Sequence, residues 1–408
     1  MKTWWSKISL LFFFAVALIG TSLRATSFVH LPLQYSHLVH AHSHTAFQGW
    51  IYTLMLLLIT RLFLSENQIQ KGRYSLQFKL TIGVIIGVLI SFSFQGYGLY
   101  SIALSSVFEL LNYWFIFRFL RDVKQTAHLA KNTISLRFVK TGLWLGLLST
   151  LAPWGIGIIS AKGLNGSEIY QSFIYAFLHF QYNGWFLFVV IGLFFKFLER
   201  DGVVHDQKLS LRFYWCFTIA VVPALSLSLL GMSFGSSLVL LAYFSAACQL
   251  VGAVFFFLAL RATFVKWIRT KHLWSQLYFT AFLSFFFTKV ILQALSAFAI
   301  FEQYAFGNKS IILAYLHLSL IGVISFLLLA VLIELKWLVI NWFTSIGSTL
   351  LLVGFIMTEL ILAMNGLLLT AETTGLFVGS ASMAVGIFLL IISPQKSIGA
   401  LRRLEFQK

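Results

Sequence analysis

The chain has 408 residues, 59% of them apolar, 17% aromatic and only 10% charged, with a formal net charge of +17. A water-soluble domain carries about 25% charged residues, so this composition excludes an ordinary soluble enzyme and makes lipid the solvent. The positive charge is distributed along short loops, as the span-by-span reading below shows, so nucleic acid is not the partner it implies.

A helix needs about 20 mainly apolar residues to cross the ~30 Å hydrocarbon core. On that ruler the sequence predicts about twelve spans: 8–23, 40–64, 78–99, 100–121, 138–160, 170–198, 211–231, 236–262, 277–300, 310–335, 338–366 and 375–393. The third and fourth meet at a tight turn near Gly96 and Gly98. The first begins after Lys2 and Lys7 and is read as a retained span, with a cleaved signal peptide ending near Ala25-Thr26-Ser27 as the alternative. With the N-terminus inside, 25 of the 29 Lys and Arg residues fall on the inner side. Arg24, Lys162 and Lys309 fall outside, and Lys289 falls mid-span. This imbalance predicts cytoplasmic termini and basic side chains that meet lipid headgroups.

The fold class expected is therefore all-α: a polytopic membrane protein of about twelve transmembrane helices, forming a single transmembrane domain over 1–408. A repeated motif divides it further. His44-Thr45-Ala46-Phe47-Gln48-Gly49, His179-Phe180-Gln181-Tyr182-Asn183-Gly184 and His317-Leu318-Ser319-Leu320-Ile321-Gly322 each place glycine five residues after histidine. The histidines are 135 and 138 residues apart, close to one third of the chain, and open the second, sixth and tenth spans. Pseudo-repeats of about 1–136, 137–272 and 273–408 follow, giving three pseudo-symmetric arcs of four helices.

Histidine inside a bilayer faces a partner, a cavity or a cofactor. His44 and His317 are the first candidates for a cofactor, with His42 beside His44 and with Gly49 and Gly322 admitting a flat ring near the backbone. The bland alternative is that the histidines bond across helix interfaces and the glycines serve close packing. His40 and His44 share a helical face, a spacing that holds copper or zinc, although an interfacial histidine run without ligand is the commoner case. His179 sits in the most polar motif. Lys289 lies deepest of the ionisable groups, with Glu359 its candidate partner in a proton or ion path, and Glu109 and Glu334 lie within or near spans. Cys216 and Cys248 lie in different spans and form no CxxC or haem-attachment motif.

Twelve spans in three arcs, with histidines on the second, sixth and tenth, resemble subunit I of the haem-copper oxidases and the related nitric oxide reductases. The segment from His42-Ser43-His44 to Gly49-Trp50 resembles the second-helix pattern of divergent members. That resemblance implies haem b held axially by His44 and His317, and His179 as the remaining ligand of a second metal. It also implies a bacterial inner-membrane location and respiratory subunits or an electron donor as partners. The departures are specific: the seventh span has no histidine, the tenth has His317 alone, and Tyr182 follows His179 by three residues and not four. A copper-containing binuclear centre is accordingly not expected, and the expectation is a haem-binding redox membrane protein. A secondary transporter, or a cofactor-free assembly or partner protein, is the alternative.

Overall fold

The computed structural model describes residues 5–32, 34–126, 133–368 and 370–393. Every regular element among them is helical. In chain order the transmembrane elements are α1 (Trp5–Ala25), α2 (Tyr35–Phe63), α3 (Tyr74–Gln95), α4 (Leu99–Gln125), α5 (Ile134–Ala161) and α6 (Glu168–Arg200). They continue with α7 (Gln207–Val221), α8 (Gly235–Leu260), α9 (Leu273–Leu295), α10 (Lys309–Glu334), α11 (Trp342–Leu367) and α12 (Thr374–Ile392). All but α7 are long and apolar enough to cross a membrane, which makes eleven among the described residues. The protein is a polytopic membrane protein that meets a lipid bilayer. Large apolar side chains such as Leu240, Leu99 and Phe94 are exposed on its spans, as hydrocarbon contact allows.

The exception, α7, corrects the expected span 211–231. Its helix stops at Val221 and continues as a 3₁₀ turn, Pro223–Ser228. Pro223 has no N–H to give the preceding turn and its ring crowds the carbonyl four residues back, so the span is broken. By contrast, the division between α3 and α4 is clean. Gly96 takes φ +59°, a left-handed conformation suited to glycine. Ser101 closes the turn by donating to the Gly96 carbonyl at 2.6 Å while accepting from the Gly98 N–H at 2.9 Å.

The chain forms two compact units. The first contains residues 1–128, 328–365 and 369–408, and the second 129–327 and 366–368. These bounds cut across the third sequence repeat, whose opening part lies in the second unit and the rest chiefly in the first.

The threefold motif does have a local structural counterpart. Each copy marks a π-helical stretch: Thr45–Tyr52 in α2, His179–Phe186 in α6 and Leu318–Ser325 in α10. The motif glycines Gly49, Gly184 and Gly322 lie inside these stretches. A Cβ on Gly49 would press on Phe12 of α1 at 2.9 Å, and one on Gly184 would meet Leu145 of α5 at 3.1 Å. The same helices are the most enclosed: their most apolar windows are 78%, 89% and 78% buried, against at most 50% for the other spans.

The first unit also holds a tight hairpin of α11 and α12. A Cβ on Gly347 would lie 2.6 Å from the Gly386 carbonyl and the reverse distance is also 2.6 Å; Gly354 and Gly379 repeat the arrangement at 2.6 and 3.1 Å. Small residues let membrane helices approach until their backbones touch.

In the second unit, Asp201 ties two loops at one end of the bundle. Its carboxylate accepts from Trp267 Nε1 at 3.0 Å, from the Lys271 ammonium and from Arg200 Nε at 3.1 Å. Burial pushes this carboxyl up, but the hydrogen bonds from Lys271 and Trp267 outweigh burial and hold it below the ordinary value. Its stabilising contribution is thus present above the unfolded carboxylate value of about 4 and fades as pH falls through the folded one. Asp201→Asn is expected to lower stability at neutral pH by about 1–2 kcal/mol. Thermal melts in detergent at pH 7 and pH 3 check this, because the difference from wild type should shrink on acidification.

Candidate functional site

Helix α6 and its π stretch place His179 and Asn183 one turn apart, and α9 places Lys289 and Gln293 four residues apart on one face. All four side chains are buried, Lys289 to 2% exposure. They join in one chain of hydrogen bonds. Lys289 Nζ donates to Asn183 Oδ1 and, at 3.0 Å, to Gln293 Oε1. The Tyr315 hydroxyl of α10 donates to the same Gln293 oxygen at 3.0 Å. Asn183 Nδ2 donates to His179 Nδ1 at 3.2 Å, which leaves His179 Nε2 to donate to the Val221 carbonyl at 2.8 Å.

The last acceptor is explained by the break in α7. Beyond Val221 the chain turns as 3₁₀, with the Leu225 N–H on the Val222 carbonyl, so the helix no longer supplies a backbone donor to Val221 in the α-helical register. A freed backbone carbonyl inside a membrane protein needs a partner. His179 supplies it. Against this chain lies a narrow crevice, no wider than about one water. Lys289, Asn183, Gln293 and Gln249 of α8 form its polar side, and Phe188 and Phe217 part of its apolar side.

Lys289 forms no ion pair among the described residues. Its hydrogen-bond partners are neutral amides, and the Tyr315 and Tyr182 rings lie 5.4 and 6.0 Å from its nitrogen. The expected partner Glu359 belongs to the other unit, where Arg24 is the charged group that acts on it. The hydrogen-bond partners of Lys289 are Asn183 and Gln293. Glu109, also in the first unit, accepts from Asn112 Nδ2 at 3.4 Å.

The other histidines of the motif reading are distributed as follows. His317 ends the α-helical part of α10 before its π stretch, in the second unit. His44, in the first unit, has Nε2 3.0 Å from the Tyr97 hydroxyl and its ring stacked on Phe92 at 4.1 Å. His42 Nδ1 donates to the Val16 carbonyl at 3.0 Å, and its ring lies where a Cβ on Gly20 would be. His40 packs edge-on against Tyr97 at 4.5 Å. No group of three His, Cys, Asp or Glu side chains among the described residues could hold a metal ion.

An axial imidazole must point a free nitrogen at iron, with space for the macrocycle beside it. The Tyr97 hydroxyl stands where His44 Nε2 points, and Phe12 covers the backbone at Gly49. Both His179 nitrogens are held by protein groups, so it offers no lone pair to a metal. As the helices stand, His44 and His179 do not fit the haem and second-metal roles that the resemblance implies.

Asn183, Gln293, Gln249 and Tyr315 were not singled out from sequence as partners of Lys289. One signal was available: Gln293 is the polar residue one turn beyond Lys289 in an otherwise apolar span. Val221 carried no signal of its own beyond the proline two residues later.

No family model matches the sequence, and no curated protein matches it.

Proposed function

We propose that the protein is a secondary transporter of small solutes, working through the Lys289 crevice of the second unit. The observation that carries this reading is a buried lysine held by neutral groups beside the break in α7. Transporters typically bind solutes and coupling ions where a span is discontinuous and its backbone groups turn toward a cavity. A structural lysine would instead be expected to have an acidic partner, since an unpaired charge in a bilayer is expensive. Proteoliposomes containing the full chain are expected to show solute-driven currents above protein-free vesicles in a panel of carboxylates, amino acids and inorganic salts. Lys289→Met should return them to the protein-free level. Absence of flux across the whole panel would overturn the reading.

The location we propose is a bacterial inner membrane with both termini cytoplasmic, supported by the 25 inner against three outer basic residues obtained when the broken α7 also crosses. Reporter fusions at each terminus check the orientation.

A haem-binding redox protein related to subunit I is the second reading, and electron-donor or respiratory-subunit partners belong to it. The recurrence of a π stretch at each histidine motif favours it, because such stretches are frequent at functional sites. The occupied imidazoles weigh against it. It requires a b-type band in the reduced-minus-oxidised spectrum of protein purified from haem-replete cells, lost in His44→Ala and His317→Ala. On the transporter reading the preparation is colourless.

A further inference from the structure

We propose that the crevice beside Lys289 binds a small monovalent anion of halide size. This deepens the transport reading and rests on it for the anion's role as the solute carried; the binding itself is independent of that role.

The argument begins with unspent donors. An ammonium has three N–H bonds, and Lys289 uses two of them on Asn183 and Gln293. Both amides turn their oxygens to the lysine, so the charge is solvated but not neutralised. Gln293 and, from α8, Gln249 bring their carboxamides to the same crevice. One cation and two carboxamides around a narrow opening form a donor set for an anion. Nothing comparable exists there for a cation: the acceptors Asn183 Oδ1 and Gln293 Oε1 are already engaged, and no carboxylate lines the crevice.

Size and charge narrow the class. The opening is no wider than about one water, and the apolar side formed by Phe188 and Phe217 offers nothing to a hydrated dianion. A single positive charge is matched by a single negative one. Chloride, little larger than a water, comes nearest to both requirements, whereas acetate and phosphate are larger.

The test uses full-length protein in detergent, with melting followed by intrinsic tryptophan fluorescence while sodium chloride or sodium acetate is titrated. Wild type is expected to gain a saturable rise in Tm with sodium chloride. Lys289→Met should lose the saturable part and keep only the general salt effect common to both proteins. This variant removes a buried charge that no carboxylate neutralises, at the cost of leaving Asn183 Oδ1 without its donor. Gln249→Leu, which leaves Lys289 in place, should shift the half-saturation point to higher salt. Identical responses in wild type and Lys289→Met would overturn the proposal. A saturable response in protein that moves no solute in vesicles would leave the anion site standing and remove the transport reading. Flux of a cation or neutral solute, with no anion response in the melts, would do the reverse.

Discussion

Asn183→Leu is expected to destabilise the protein by about 3 kcal/mol or more, although it exchanges one buried side chain for another of similar size. The amide has two simultaneous tasks: its oxygen accepts from Lys289 and its nitrogen donates to His179. Removing it leaves an ammonium with one fewer partner and a buried imidazole nitrogen with none. A lost hydrogen bond to a charged group costs about 1.5–3 kcal/mol, and an orphaned buried acceptor about 1–3 kcal/mol. The costs fall on one network, so they are coupled. In the double variant Asn183→Leu with Lys289→Met, the ammonium is gone and much of the penalty should be recovered. Melting curves for the four proteins of this cycle decide the matter. An Asn183→Leu protein within about 0.5 kcal/mol of wild type, the range of an unremarkable surface change, would show that the chain of bonds is incidental.

The second large effect is expected at Gly386. Any side chain there must enter space held by the backbone of α11, with the Gly347 carbonyl at 2.6 Å and the Leu351 nitrogen at 2.8 Å from a Cβ. Backbone cannot swing aside as a flexible side chain can, so the two helices must separate along their length. Overpacking of this kind costs about 1–3 kcal/mol, occasionally more, and Gly386→Leu should lie at or above the top of that range. Gly83→Ala and Gly157→Ala are the controls: a Cβ at either meets nothing within 4 Å, and alanine is the better helix former. Both should melt at or above the wild-type temperature. If Gly386→Leu melts with them, the backbones of α11 and α12 are not in contact.

The sequence made the helical membrane fold legible because bilayer thickness and hydropathy constrain it so strongly, and even the turn at Gly96 was readable from two closely spaced glycines. The break in α7 was not, because Pro223 stands in an apolar run that passes as one span on a length ruler. The candidate site was half legible. Lys289 announces itself by being charged amid phenylalanines, and His179 by recurrence. Their connection through Asn183 depends on how α6 and α9 face each other, which no single-sequence periodicity fixes. The choice of Glu359 as partner followed charge complementarity, whereas the amides that bond Lys289 lie on the neighbouring helix and on the lysine's own next turn.

The π stretches carry a mechanical consequence. A stretch with i→i+5 bonding stores one surplus residue in an otherwise regular helix. That surplus can pass to the next turn by exchanging one main-chain bond for another, without leaving the backbone open to lipid. The residues it passes over turn by about 100°, the angle of one residue in a 3.6-residue turn, while the helix ends keep their orientation. Helices α2, α6 and α10 thus have a way to re-aim a few side chains in the most enclosed part of the protein, where a hinge would have no room to swing.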